Sequence, residues 1–150
     1  MTEHNEERQK GAAASQPIRA HFVVEESKAE DFVRSVKETG GKVEGEVEPF
    51  EVPPEEIDDY ADGQFEPLMV VAVSVSVAYL VSTISKLWLD HTRPGGTIVD
   101  ARGGRLETRV APHVERNKLI VLTDKKVLEF NPAQKAEGAD LLQALANRNA

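Results

Sequence analysis

Residues 67–85 read PLMVVAVSVSVAYLVSTIS and carry no charged side chain over nineteen positions. The first half is rich in β-branched valine, which favours a strand that is buried on both faces. Further along, apolar side chains recur at helical spacing, at Leu80, Ile84, Leu87 and Trp88. The segment therefore predicts a strand over residues 68–77 that leads directly into a helix ending near residue 91.

The same uncharged run is long enough to cross a lipid bilayer as a single helix. Acidic residues precede it and basic residues follow it, an asymmetry that obeys the positive-inside rule with the carboxyl terminus in the cytoplasm. Its five serine and threonine residues, its few leucines and its change of period favour a strand followed by a helix. A single-pass membrane anchor spanning 67–85 remains the alternative interpretation.

The preceding segment also predicts a strand followed by a helix. Residues 17–24 read PIRAHFVV and alternate apolar with polar positions, which is typical of a half-buried strand. Ser27 and Glu30 have the spacing of a capping box, so we expect a helix to begin at Ser27. Gly40-Gly41 would end it, because glycine accepts the left-handed conformation that follows a helix.

An acidic segment lies between these two units. Residues 43–66 contain ten acidic side chains and neither lysine nor arginine. Alternation over Lys42 to Val52 predicts a strand with an acidic outer face that is broken near Pro49 and stopped by Pro53-Pro54. The remainder predicts an ordered acidic loop. The EF-hand spacing of a calcium loop is absent. The segment is either a solvated face or a docking surface for a basic protein, with candidate partner-binding residues Glu44, Glu46, Glu48, Glu55, Asp58 and Asp59.

Beyond residue 96 the sequence predicts four short strands and a final helix. Gly103-Gly104 and Asp124-Lys125 are typical of hairpin turns, and Asn131-Pro132 is typical of a helix start. The predicted fold is α+β: a ferredoxin-like α/β sandwich of two strand–helix–strand units, extended by C-terminal hairpins and a terminal helix. We divide the chain into a disordered leader (1–16), an α+β domain (17–131, acidic loop 43–66) and a C-terminal helix and tail (132–150).

Composition restricts the function further. The chain has 150 residues, a net charge of -8 and no cysteine. The negative charge argues against a nucleic-acid partner, which needs basic surface to neutralise phosphates. The lack of cysteine excludes disulfides, zinc–thiolate sites and a cysteine nucleophile. Residues 1–16 lack the apolar stretch of a secretory signal, so a cytoplasmic location is expected.

No motif predicts an active site. The four histidines show no helical pair spacing that would suit a metal, and the glycine pairs lack the pattern of a phosphate loop. Asp100 and Arg102 have the spacing of a local ion pair. A small enzyme that uses Asp100, Arg102 or His113 is the third hypothesis, but no nucleophile–base pair or metal cluster is visible. We therefore expect no catalytic residue, no metal and no cofactor.

The run from Leu68 to Val110 combines the apolar strand, a helix ending ISKLWLDH and the stretch GGTIVDARGGRLETRV. In its hydrophobic pattern this run resembles small bacterial domains of the effector-associated constant component type. That resemblance implies a compact α+β module encoded beside effectors in bacterial conflict systems, acting as an adaptor or scaffold. The long acidic insert and the longer C-terminal run of strands depart from the pattern, and no functional residue can be transferred.

Together these observations predict a non-enzymatic bacterial interaction or adaptor domain that docks on a protein partner. The docking would use a sheet edge or a helix face and would be steered by negative charge. The sequence leaves a homo-oligomer open and does not identify the partner.

Overall fold

The computed structural model of the chain describes residues 17–54 and 67–149. Within these ranges the fold is mixed α+β, with three α-helices and an eight-stranded mixed sheet. The helices are α1 (Glu26–Glu38), α2 (Val77–Trp88) and α3 (Lys135–Asn149). The strands are β1 (Ile18–Glu25), β2 (Lys42–Val43), β3 (Glu48–Pro49), β4 (Leu68–Val75), β5 (Gly96–Asp100), β6 (Glu107–Ala111), β7 (Leu119–Leu122) and β8 (Val127–Phe130). Short 3₁₀ turns cover Arg102–Gly104 and Pro132–Gln134.

The strand order is β2-β4-β1-β6-β5-β7-β8, and β3 pairs with β4 as well. β4 is antiparallel to its neighbours, whereas β1 with β6 and β5 with β7 are parallel. The first strand–helix–strand unit is split by β4, as a ferredoxin-like fold requires. The β5–β6 hairpin then places β6 between β1 and β5, so that β5 does not reach β1. The α+β class is confirmed, and the ferredoxin-like arrangement is not.

The core lies between one face of the sheet and the helices. Central strands contribute fully buried Phe22, Val73 and Val121, and α2 contributes Leu80 and Trp88. The spacing that predicted a helical stripe in α2 is therefore the spacing of its buried face. A smaller cluster around Ile98, Ala111 and Val114 covers part of the opposite sheet face.

The uncharged run 67–85 folds as β4 and α2, with the change at Ser76. The Ser76 side chain accepts a hydrogen bond from the Tyr79 backbone N–H at 3.1 Å, which caps the helix. Strand and helix are therefore separate elements here, as the change of period predicted. Across residues 17–54 and 67–149, no helix has both the length and the apolar character that crossing a membrane requires.

The capping box predicted at Ser27 is wrong. α1 begins at Glu26, and Glu25 occupies the N-cap position without a side-chain capping bond. The reason is that β1 runs into α1 without a loop, and the Glu26 N–H is satisfied by the Pro67 carbonyl at 2.9 Å.

By contrast, the helix start predicted at Asn131 is confirmed. The Asn131 side chain accepts from Ala133 N, and Gln134 Oε1 accepts from Asn131 N.

The strand predicted over Lys42 to Val52 forms only in two short pieces. Lys42 pairs with Ser74 and Glu48 pairs with Val70, so the outer segment has two more residues than β4 between these pairs. Gly45, with φ +72°, lies in the resulting bulge, where a left-handed backbone suits glycine. This edge of the sheet is therefore interrupted.

The leader predicted at 1–16 and most of the loop beyond Pro54 lie outside the described residues.

Candidate functional site

The acidic edge, residues Glu44, Glu46 and Glu48, flanks β4 along the bulged β2–β3 segment. Glu44 is half-buried, and its carboxylate lies 3.3 Å from Arg19 Nε. Glu46 and Glu48 are exposed. The structure thus brings three of the six predicted partner-binding residues onto one sheet edge, whereas Glu55, Asp58 and Asp59 lie outside the described residues.

Pro49 determines what kind of contact this edge can make. The Phe50 N–H donates inward to the Leu68 carbonyl at 2.9 Å. Because backbone direction alternates along a strand, the backbone nitrogen of Pro49 faces away from β4. Proline has no N–H, so this position cannot donate to an added strand. The acidic edge is therefore suited to side-chain contacts rather than to strand addition.

A second concentration of charge lies on the sheet face opposite the helices, where β5 and β6 meet. Arg102 binds Asp100 through two side-chain contacts, Nε to Oδ1 at 2.9 Å and Nη2 to Oδ2 at 2.8 Å. This is the local ion pair that the spacing predicted. Its hydrogen bonds lower the pKa of the Asp100 carboxyl, against the opposing effect of partial burial.

Arg109 extends this charged cluster into the protein. Its side chain is only 5% exposed, and Nη1 lies 3.0 Å from Glu107 Oε1 and 3.8 Å from Asp100 Oδ2. A depression of about 290 Å³ is lined by Asp100, Arg102, Arg105 and Glu107. Both carboxylates contact arginines, so their negative charge is compensated within the cluster. The geometry is that of a salt-bridge network.

His21 lies opposite Glu107 in the β1–β6 register. Burial, followed by the nearby Arg105 charge, lowers the pKa of its imidazole. His113 follows β6 at the end marked by Ala111, whereas Asp100 pairs with Glu107 at the other end of that strand. The structure therefore keeps His113 apart from the Asp100–Arg102 pair.

A groove of about 150 Å³ lies between α1 and α2. Val24, Phe32, Leu87 and Val110 contribute to its apolar lining, and Lys28 and Arg93 contribute charge. As for metals, the part of the chain that the structure describes holds no group of three or more histidine, aspartate or glutamate residues able to bind one ion.

Sequence reasoning missed Arg105, Glu107 and Arg109, because long-range pairing of β1, β5 and β6 assembles their surroundings. It recognised Pro49 as a break in the strand but missed that a proline at this position marks a protected sheet edge. The described residues form an α+β fold with a charged sheet edge and a salt-bridge network on the sheet face opposite the helices. No protein-family model, curated protein or solved structure matches the chain.

Proposed function

We propose that this chain is a non-enzymatic interaction or adaptor domain that docks a basic protein partner on its acidic edge. The observation that supports the proposal is the exposure of Glu46 and Glu48 beside Pro49. These carboxylates are available to side chains of a partner, while the proline opposes backbone pairing at the same edge.

Electrostatics supports a basic partner. The whole chain carries a net charge of -8, which adds a general attraction for cationic surfaces to the local one. Charges at the rim of an interface mainly raise the association rate and select partners of opposite sign. We therefore expect binding that weakens steeply as ionic strength increases, because salt screens exposed charges.

The absence of catalysis is part of the proposal. Its support is that Asp100 and Glu107 both contact arginine guanidinium groups. The hydrogen bonds from Arg102 lower the pKa of the Asp100 carboxyl, which makes it a poor proton acceptor. The resemblance of residues 68–110 to effector-associated constant components suggests that the partner is an effector of a bacterial conflict system. A cytoplasmic location belongs to the same proposal.

The test compares two charge-reversed chains. Glu46→Lys with Glu48→Lys reverses the acidic edge, and Glu38→Lys with Glu115→Lys makes the same charge change at exposed positions elsewhere. Each immobilised chain is incubated with lysate of the source bacterium at low and at high salt. Captured proteins are then quantified by mass spectrometry.

We expect a basic protein that the wild type and the control retain at low salt and that the edge variant loses. Equal capture by all three chains would refute docking on the acidic edge. Equal loss from both variants would show that only net charge matters, and it would refute the edge as the specific surface.

A further inference from the structure

The Arg19–Glu44 ion pair crosses the sheet face opposite the helices. Arg19 on β1 pairs with Ser74 of β4. The Glu44 N–H donates to the Ala72 carbonyl of the same strand at 2.8 Å. Val73 lies in the core, so the alternation along β4 places the small side chains of Ala72 and Ser74 on the opposite face. An arginine from β1 can therefore lie over β4 and reach the acidic edge.

The two partners of this ion pair are unequally exposed. The Arg19 side chain is 82% exposed and that of Glu44 is 37% exposed, and Arg19 Nε lies 3.3 Å from Glu44 Oε1. An ion pair with so exposed a partner contributes little to folding, because water competes for both charges and the arginine loses side-chain entropy. The guanidinium can therefore leave Glu44 at little cost to the fold.

Glu44 differs in this respect from the rest of the acidic edge. Glu46 and Glu48 present exposed carboxylates, whereas the Glu44 carboxylate already contacts a cation of its own chain. A basic partner that docks on this edge brings further cations to the same carboxylates. At Glu44 these cations and Arg19 compete for one negative charge.

We propose that Arg19 is an internal competitor of the basic partner. In the free protein its guanidinium occupies Glu44, and a cationic side chain of the partner displaces it on docking. The inference rests on the proposed docking at the acidic edge and adds an autoinhibitory contact to it. Docking must break one exposed ion pair, so the contact lowers the affinity for the partner by a factor of about two to five.

Fluorescence anisotropy with a labelled hexa-arginine peptide at low salt measures the affinity of the full chain for a defined cation. Arg19→Gln frees Glu44, and we expect it to bind the peptide about two to five times more tightly than the wild type. Arg148→Gln makes the same charge change at an exposed position of α3. Its effect should be clearly smaller, because it changes only the net charge.

The Glu44→Gln background shows whether the gain passes through Glu44. In that background Arg19→Gln should tighten binding no more than Arg148→Gln does, because the contested carboxylate is gone. If Arg19→Gln and Arg148→Gln gave equal gains with Glu44 present, the proposal would be overturned. A full gain from Arg19→Gln without the Glu44 carboxylate would overturn it as well.

The variant that carries Glu46→Lys and Glu48→Lys separates this inference from the proposed function. If this variant lost the peptide and Arg19→Gln gave no gain, docking on the acidic edge would stand and the internal competitor would be overturned. If this variant bound the peptide as tightly as the wild type, docking on the acidic edge would be refuted, and the inference would be refuted with it.

Discussion

Trp88 and Asn117 exchange two hydrogen bonds between the end of α2 and the turn before β7. The indole Nε1 donates to the Asn117 carbonyl at 2.9 Å, and Asn117 Nδ2 donates to the Trp88 carbonyl at 3.2 Å. Asn117 is the one non-glycine residue with positive φ, at +64°, among those described. One asparagine thus satisfies the buried indole, binds a carbonyl at the end of α2 and permits a left-handed turn.

Replacing Asn117 should separate these contributions. Asn117→Gly keeps the left-handed backbone but loses the side-chain bonds to the Trp88 carbonyl and to His91 Nδ1. We expect it to cost about 1 kcal/mol of unfolding free energy. Asn117→Ala adds the left-handed penalty of a residue with a Cβ, so a loss of about 2 kcal/mol is expected. Urea denaturation measures both. Equal stability of the two variants would contradict a backbone contribution.

Gly138 lies against Trp88 within α3. A Cβ built on Gly138 would lie 2.8 Å from Trp88 Cζ3 and 2.9 Å from Cη2. Glycine normally weakens a helix by about 1 kcal/mol relative to alanine, so alanine would be expected to help. Here the overlap dominates, and we expect Gly138→Ala to destabilise the fold by about 1–3 kcal/mol.

Thermal unfolding of Gly138→Ala and Ala144→Gly tests this interpretation. Ala144 is exposed in the same helix, so its glycine variant reports helix propensity without a packing change. We expect both variants to unfold at lower temperature than the wild type. A Gly138→Ala chain that is more stable than the wild type would show that Trp88 yields easily.

Asp100 should make stability depend on pH at the acid end. Its folded-state pKa is lowered, chiefly by the hydrogen bonds from Arg102. The contribution is therefore present above the unfolded-state pKa of about 3.9 and is lost as pH falls through the lower folded-state value. We expect Asp100→Asn to be less stable than the wild type at neutral pH and to converge with it in acid. If the stability difference between the wild type and Asp100→Asn stayed constant down to acid pH, the Asp100 carboxylate would not be the source of the pH dependence.

His21 offers a spectroscopic test of the same cluster. Burial and then Arg105 lower its pKa, while Glu107 and Glu44 oppose them. NMR titration of the His21 ring should therefore give a pKa below the ordinary value of about 6.5. Arg105→Gln should raise that pKa and Glu107→Gln should lower it further, whereas Arg148→Gln on α3 should leave it unchanged. Opposite directions in the first two variants would show that their charges do not act on the ring.

His21 protonation also has a consequence for stability. Because the folded state binds this proton less tightly, stability should decrease as pH falls from about 6.5 through the folded-state pKa. His21→Gln should remove that component of the acid response, which chemical denaturation at stepped pH values would measure. If His21→Gln lost stability with falling pH as the wild type does, the acid response would come from groups other than His21.

Local patterns predicted most elements but not their arrangement. The run of β-branched valines and the helical spacing located β4 and α2, and side-chain chemistry located the start after Asn131. The order of the sheet could not be predicted, because β6 inserts beside β1 through a parallel pairing between residues remote in sequence, His21 with Glu107. The start of α1 depended on Pro67, which is also remote in sequence from Glu26.

The candidate site was predictable to a similar degree. Acidic residues at alternate positions indicated the edge carrying Glu46 and Glu48. The burial of Arg109 was not predictable, because arginine is rarely buried and an arginine within a strand usually lies on its solvent-exposed face. The position of Arg109 near Glu107 and Asp100 depends on the register in which β5 pairs with β6. The sequence of these two strands specifies that register only in part.

The central position of β1 has a consequence for biosynthesis. Of the strands that the structure describes, β1 leaves the ribosome first, and both of its neighbours, β4 and β6, are made later. Until Ala111 has emerged, one side of β1 has no hydrogen-bonding strand, and late long-range pairing is slow. Ribosome-bound chains that stop before β6 should therefore be cleaved readily by protease within β1, and chains that extend past Phe130 should resist cleavage there.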